Sequence, residues 1–333
     1  MLKRANEIHE KLIEYRHDFH MHPELGFSEY RTSARVAEVL TSLGCRVRKN
    51  VGKTGVVAEL GVGLPIVAIR ADMDALPIKE ENHIEYASQN SGVMHACGHD
   101  AHTAILLGVA ELLSKEEKLP GTVRLLFQPA EEVGDEEGIS GAPRMIHDGA
   151  MEGGVGMTLA LHVSAHVPVG QIQVGSGPSS GGVDTFRASV LGMGGHGARP
   201  HETVDPIYLA AHVILVLHGI VSRRINPFDP AVVTIGSIHA GNAENVIPNQ
   251  VDILGTIRYM KPEVQKQVHA EIRKAMEVAK TLGGDYKLIF EIGSLPMIND
   301  PRVVDLIKQT AADLLGKENI RPPVEGLGAE DFG

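Results

Sequence analysis

The stretch Ile66-Val-Ala-Ile-Arg-Ala-Asp-Met-Asp74 is a short apolar run that empties into two carboxylates. Two later stretches repeat the pattern: Thr122 to Phe127 (TVRLLF) leads into Glu131 and Glu132, and Met157 to Leu161 (MTLAL) leads into His162. Runs of this length and apolarity, bounded by turn residues, read as buried strands. In open parallel sheets ligands bind beyond the carboxyl ends of the strands, so groups far apart in sequence are expected to converge there. The three runs predict an α/β fold, a mostly parallel sheet flanked by helices, with a polar site along one sheet edge.

Between the first two runs stands His95-Ala-Cys-Gly-His-Asp-Ala-His102, a thiol, three imidazoles and a carboxylate directly ahead of an apolar helical stretch. Cys97 and His99 are two residues apart, so in extended backbone both point to one side and can share one ion. His102 follows one helical turn later and suits either ligation or an orienting role. A lone histidine is more often a satisfied core residue; the combination with strand-end acids is what points to a divalent metal. Cys97 as a nucleophile is the weaker reading, because the acids around it are expected to raise its pKa unless a cation intervenes.

At Gln128-Pro129 proline stops the strand, and the turn lets Glu131 and Glu132 face different neighbours, one a metal and the other a proton in transit. A solvated acidic loop is the plain alternative, since Asp135, Glu136 and Glu137 follow. Asp72 and Asp74 alternate on one side of their segment, with capping or loop solvation as their alternative. His162 closes a run too apolar for a surface strand and is expected to be a ligand whose ring an acid orients.

The 333 residues suggest about two domains, and 43% hydrophobic residues suffice for a sizeable core. With 31 basic against 42 acidic residues the net charge is −11, which repels phosphate backbones and anionic lipid. Nucleic acid and membrane partners are therefore not expected. The N-terminus is a charged amphipathic pattern without the apolar centre of a signal peptide, and no run reads as a membrane span, so cytoplasmic residence is the default. Cys45 and Cys97 lie in unlike contexts and do not read as a disulfide; Cys45 reads as core.

Two helices are expected between Ala5 and about Leu43, broken near His22-Pro23, followed by alternating strand and helix signals to about residue 170. Past the glycine-rich stretch at Gly175 to Gly182 the pattern becomes α+β. Strands are expected at Thr185 to Leu191, Val232 to Ile238, Gln250 to Tyr259 and Tyr286 to Ile292, with helices at Asp205 to Val221 and Pro262 to Leu282. A helix from Arg302 to Leu315 is assigned back to the first domain. The expected domains are residues 1–177 with 293–333, carrying the metal groups, and an insert over residues 178–292. In the insert, Gly192-Met-Gly-Gly-His-Gly197 surrounds His196 with glycines that let backbone approach a ligand. Gly241 to Pro248 is a polar turn containing Asn245, and Arg258 carries a fork suited to a carboxylate, although alone it reads as a surface salt bridge.

Together these residues resemble the M20 family of metallopeptidases, most closely its amidohydrolase branch of aminoacylase, hippurate hydrolase and auxin-conjugate hydrolase type. The resemblance covers nearly the whole chain. It rests on His20-Met-His-Pro-Glu-Leu-Gly-Phe27, Arg70-Ala-Asp-Met-Asp-Ala-Leu-Pro77, His95 to His102, Phe127-Gln-Pro-Ala-Glu-Glu132, Gly194-Gly-His-Gly-Ala198, Asn245-Val-Ile-Pro248 and Gly328-Ala-Glu-Asp-Phe332, in the family's order. It implies that Cys97, His99, Glu132 and His162 are metal ligands, with Cys97 bridging two divalent ions (Zn, Mn, Co or Ni). It further implies Glu131 as general base and Asp74 as the aspartate that orients a ligand, whereas Asp72 stands where other branches keep a ligand histidine. His196 matches the insert histidine that reaches the partner's site in family dimers and stabilises the oxyanion. Asn245 and Arg258 match positions that bind the substrate carboxylate, and the insert resembles the family's lid and dimerisation domain.

One departure from the family stands out. Members continue beyond Gly-Ala-Glu-Asp-Phe for several dozen residues that supply a fifth ligand histidine, whereas here no histidine follows His269 and the sequence stops at Gly333. A C-terminally shortened form is the expectation. The expected activity is metal-dependent hydrolysis of the amide in an N-acyl amino acid or related small conjugate, by a homodimer. The alternatives are a catalytically crippled dimerising or ligand-binding protein, and a thiol hydrolase using Cys97.

Overall fold

In the computed structural model, which describes residues 2–323 and 326–333, the apolar runs read above are strands. The chain opens with helices α1 (Leu2–Glu7), α2 (His9–Met21) and α3 (Tyr30–Ser42). Then come β1 (Arg46–Val51), β2 (Gly55–Gly61), β3 (Ile66–Asp72), α4 (His99–Ser114), β4 (Thr122–Gln128), α5 (Gly141–His147) and β5 (Val155–Ala160). The five strands form one sheet in the order β1-β2-β4-β3-β5. β3 pairs in parallel with β4 and β5, whereas β2 is antiparallel to both β1 and β4. The sheet is thus mixed, and parallel over the three strands that carry the site. Its antiparallel part follows from the tight return between β1 and β2, where Asn50, Gly52 and Lys53 all take positive φ. So short a connection cannot make a parallel crossover.

Period-two alternation explains the unbroken apolarity of β4. Leu125 and Phe127 join Phe19, Val36, Leu40 and Leu107 from the three longer helices, while Leu126 turns to the opposite face with Val57, Ala68 and Met145. Both faces of the sheet are covered. β5 differs: among the described residues it has a neighbour only on its β3 side, it is half-buried, and Leu161 just past it is exposed. The expectation that its apolarity marks a fully covered strand is corrected accordingly. The N-terminal helices number three because the pattern breaks at Ile8 as well as near His22. Glu24 caps α3, its carboxylate accepting from the backbone N–H groups of Arg31 at 3.0 Å and Thr32 at 2.8 Å.

The chain divides into two compact units, Met1–Gln171 with Asp313–Asn319, and Ile172–Ala312 with Ile320–Gly333. The second unit contains β6 (Ile172–Gln173), β7 (Gly177–Pro178), β8 (Gly182–Leu191), β9 (Gly195–His196), α6 (Pro206–Arg224) and β10 (Ala231–Ala240). It continues with β11 (Val246–Ile247), β12 (Gln250–Tyr259), α7 (Pro262–Thr281), β13 (Asp285–Ile292), β14 (Ile298–Asn299), most of α8 (Pro301–Leu315) and β15 (Ile320–Arg321). A four-stranded antiparallel sheet, β10-β12-β8-β13, carries α6 and α7: Leu209, Val213, Leu217, Ile272 and Met276 pack on Phe186, Val190, Ile253 and Ile257. Asp205 starts α6 by accepting from Ile207 N–H, with Pro206 in the first turn. No membrane-length run was expected, yet α6, with 19 residues and a mean hydropathy of 1.4, is long and apolar enough by those measures. Its inward side is packed on this sheet.

Candidate metal centre

Because β3, β4 and β5 run parallel as neighbours, their carboxyl ends deliver Asp72 to Asp74, Glu131 with Glu132, and His162 to one edge of the first unit. α4 starts at the same edge. Gly98, just before it, has φ +92°, and a Cβ there would lie 2.4 Å from Val163 Cγ2. Only glycine lets the chain turn between Cys97 and His99 while the segment bearing His162 closes in. Gly98→Ala is expected to cost about 1–3 kcal/mol of stability from left-handed strain alone, read by denaturant unfolding.

His99 is fully buried, and its Nδ1 lies 2.9 Å from the Asp74 carbonyl oxygen and 3.2 Å from Asp74 Oδ1. Both partners accept, so the Nδ1 proton is fixed and the Nε2 lone pair is presented to the site, where it meets no hydrogen-bond donor among the described residues. His162 does the same with less burial: Nδ1 donates to Val163 O at 2.6 Å, and Nε2 stands 3.4 Å from Cys97 Sγ. A backbone carbonyl, rather than the expected acid, orients this ring. Cys97, His99 and His162 each offer a donor atom, and these lie within 4.8 Å of one another. Donor atoms of His99, Glu131 and Glu132 likewise lie within 4.8 Å of one another, with Glu132 Oε1 4.0 Å from His99 Nε2. Asp74 couples the two groups, since its other oxygen, Oδ2, accepts from Glu132 N–H at 3.0 Å.

The electrostatics favour positive charge at this point. Burial works to lower the His99 pKa, yet Asp74, Cys97 and Asp72 together carry it up to about 11. His162 is raised to about 9, chiefly through Cys97. The Cys97 thiol is pulled down by its contacts with His162 and His99. This corrects the expectation that nearby acids dominate at Cys97, because the imidazoles are in contact with the sulfur. A divalent ion would take the place of the protons on these imidazoles, and two inward ring nitrogens, an acidified thiol and two adjacent carboxylates make a donor set that fits ions of the N/S/O-binding kind.

His102 holds rather than ligates. Its Nδ1 donates to Asp72 Oδ1 at 2.6 Å and its Nε2 accepts from Val163 N–H at 2.9 Å, so both nitrogens are engaged in placing His162. Asp72 has Arg70 Nη1 2.7 Å from Oδ2, a charge contact out of line for a hydrogen bond. Burial opposes the charge on Asp72, but Arg70 and His102 hold its carboxyl well below the usual range. Arg70 also donates to Gln128 Oε1 at 2.8 Å, tying β3 to β4. Its role was readable only as a cation inside an otherwise apolar strand. His95 lies off the donor set; burial pushes it down to about 4, and it is neutral. Asp100 accepts from His20 Nδ1 at 2.9 Å and Arg16 Nε at 3.2 Å, bracing α2 against α4.

In the second unit His196 and Asn245 are brought together. His196 on β9 pairs with Val246 on β11, and Gly197 N–H donates to Asn245 O at 2.8 Å. His196 Nδ1 accepts from Ala198 N–H, so the ring proton sits on Nε2. Arg258 is not with them. It pairs across Val183 and Val232 at the far end of β12, about 26 Å along the strand from Gln250.

A sequence profile described as Peptidase family M20/M25/M40 matches residues 68–333. Thermostable carboxypeptidase 2 of Saccharolobus solfataricus is 40% identical over 98% of this chain and 83% of its own. N-acyl-L-amino acid amidohydrolase of Geobacillus stearothermophilus is 40% identical over 90% of this chain and 81% of its own. The crystal structure of Bacillus subtilis YXEP, a dinuclear metal binding peptidase from the M20 family, superposes with a TM-score of 0.85 at 34% identity, covering 98% of this chain and 85% of that one.

Proposed function

The chain belongs to peptidase family M20/M25/M40, and from that premise we propose that it hydrolyses the amide bond of N-acyl amino acids or related small conjugates. It is a metal-dependent amidohydrolase of this family. The observation that carries the reading is the gathering of donor atoms from Cys97, His99 and His162 within 4.8 Å, and of those from His99, Glu131 and Glu132 within the same span. Convergence of thiol, imidazole and carboxylate donors argues against a merely ligand-binding protein.

Cys97, His99, Glu132 and His162 would hold the ions, two per chain by likeness to a dinuclear relative. Bound divalent metal supplies Lewis acidity, which lowers a water pKa from about 15.7 to about 7 and polarises an acyl carbonyl. Asp74 fixes the His99 tautomer and, through Glu132 N–H, the loop that bears both glutamates. Glu131 takes the proton of the attacking water and returns it to the leaving amine nitrogen as the C–N bond breaks, so the proton count balances. His196, protonated at Nε2, donates to the oxyanion. Arg258 and Asn245 bind the free carboxylate, a group that both an N-acyl amino acid and a carboxypeptidase substrate present.

The separation of Arg258 from Asn245 suits a homodimer in which the His196 end of the second unit serves the other protomer. Release of free amino acid from a panel of N-acyl amino acids with added Zn, Mn or Co tests the activity; no release from any member would defeat it. Mixing His196→Ala with Glu131→Gln chains, each inactive alone, is expected to restore about one quarter of wild-type activity, because half the dimers are mixed and each has one complete site. Absence of recovery would defeat the shared site.

A further inference from the structure

The segment Pro23-Glu24-Leu25-Gly26-Phe27-Ser28-Glu29 lies outside the donor set, yet it packs on the exits of β3 and β4, which carry Asp74 and the two glutamates. Against β3, Ala75 N–H donates to Glu24 O at 2.8 Å, and Leu25 bridges Ala75 in parallel, next to Asp74. Against β4, a Cβ on Gly26 would lie 2.4 Å from Val133 Cγ2 and 3.0 Å from Ala130 Cβ, so the segment touches the loop directly. Glu29 then enters under that loop. Its side chain is fully buried, with Oε1 accepting from Ala130 N–H at 2.8 Å and Oε2 accepting from the Thr54 hydroxyl at 2.5 Å.

Two features mark this contact as more than packing. Ala130 has φ +45°, a left-handed conformation unfavourable for a residue with a Cβ, and it directly precedes Glu131 and Glu132. Holding it requires a bond that outweighs the strain, and the Ala130 amide is where Glu29 attaches. Glu29 is also the unneeded acid at the start of α3, because Glu24 already caps that helix. Burial pushes its pKa up to about 7 against the lowering effect of its hydrogen bonds, so the fold bears the cost of sinking a carboxyl group at this point.

We infer that Glu29 is a positioning residue for catalysis: through the Ala130 amide it locks the strained turn that aims Glu131 and Glu132 at the metal centre. The inference rests on the assignment of those two glutamates made above. Gln at this position keeps a carbonyl for Ala130 N–H and offers an amide NH₂ to the Thr54 oxygen once that hydroxyl turns to accept, whereas Ala removes the bond at the Ala130 amide and leaves the turn only Gly141 N–H on Ala130 O and Asp74 on Glu132 N–H.

The test compares wild type, Glu29→Gln and Glu29→Ala by Mn²⁺ titration, amide hydrogen exchange and kinetics on N-acyl amino acids. Glu29→Ala is expected to weaken Mn²⁺ affinity by about 10-fold or more and to speed exchange at residues 130–132 while leaving β4 protected. It should lower kcat by about 10²-fold with KM within about twofold, the mark of misaimed groups rather than lost binding. Glu29→Gln should restore all three. Should Glu29→Ala fail to fold, Thr54→Val, which removes only the second anchor of the carboxyl group, is expected to show the same changes in smaller measure. Unaltered Mn²⁺ affinity and exchange in both Glu29→Ala and Thr54→Val would overturn the inference, as would a Gln variant no better than Ala. Failure of the functional reading looks different: wild type binds Mn²⁺ yet hydrolyses no N-acyl amino acid, and the affinity and exchange comparison still decides the role of Glu29.

Discussion

Replacing Glu131 with Gln is expected to lower kcat by about 10²–10⁴-fold, or about 3–5 kcal/mol of transition-state stabilisation, with metal content and KM close to wild type. The substitution keeps the size of the side chain and removes its capacity to accept and return a proton. Asp74 anchors the backbone N–H of Glu132, so the loop keeps its anchor when residue 131 changes. Metal analysis alongside single-turnover kinetics checks this. Activity within a few-fold of wild type would take Glu131 out of the proton-transfer role, and lost metal would recast it as a ligand.

His99→Ala should be more damaging still, since His99 alone belongs to both donor groups, with Cys97 and His162 on one side and Glu131 and Glu132 on the other. Removing it also strands Asp74 as a buried carboxylate without its imidazole partner. The expected result is loss of bound metal and an activity drop of at least about 10³-fold, because without the ion the attacking water returns toward a pKa of about 15.7. Chelation of the wild type should produce the same loss, reversed by adding Mn²⁺ or Zn²⁺. The Cys97–His162 pair at 3.4 Å, with its lowered thiol pKa, gives the competing thiol-hydrolase mechanism its one structural support. That mechanism predicts activity that survives the chelator and dies with a thiol alkylator. The same pair of experiments therefore separates the two chemistries.

Much of this was legible because strand ends carry their chemistry with them. Asp72, Glu131, Glu132 and His162 each follow an apolar run, and parallel pairing of β3, β4 and β5 is enough to bring them to one edge. In the second unit, β12 and the strands and helices around it stand close to where periodicity puts them, since alternation there marks one covered face. Direction at the strand exits was not legible. Spacing alone left His102 open between ligand and support, and only the bonds to Asp72 and Val163 assign both of its nitrogens. The ring orientation of His162 depends on a carbonyl one residue on, which no side-chain pattern reveals. The antiparallel half of the sheet was missed because β1 is mostly charged and exposed and so lacks the apolar run that marks the other strands, although Asn50 and Gly52 supply turn residues for the return. Arg258 and Asn245 came as a pair by resemblance, and strand register places Arg258 at the end of β12 remote from the turn that carries Asn245.

In the function proposed above, Cys97, His99, Glu132 and His162, remote in sequence, ligate divalent metal together. Zinc-edge X-ray absorption on the zinc-loaded chain tests it most directly. A sulfur shell at about 2.3 Å is expected beside nitrogen and oxygen at about 2.0–2.2 Å, with the sulfur shell lost in Cys97→Ser. Zinc bound without sulfur in the wild type, or a sulfur shell that persists in Cys97→Ser, would contradict it.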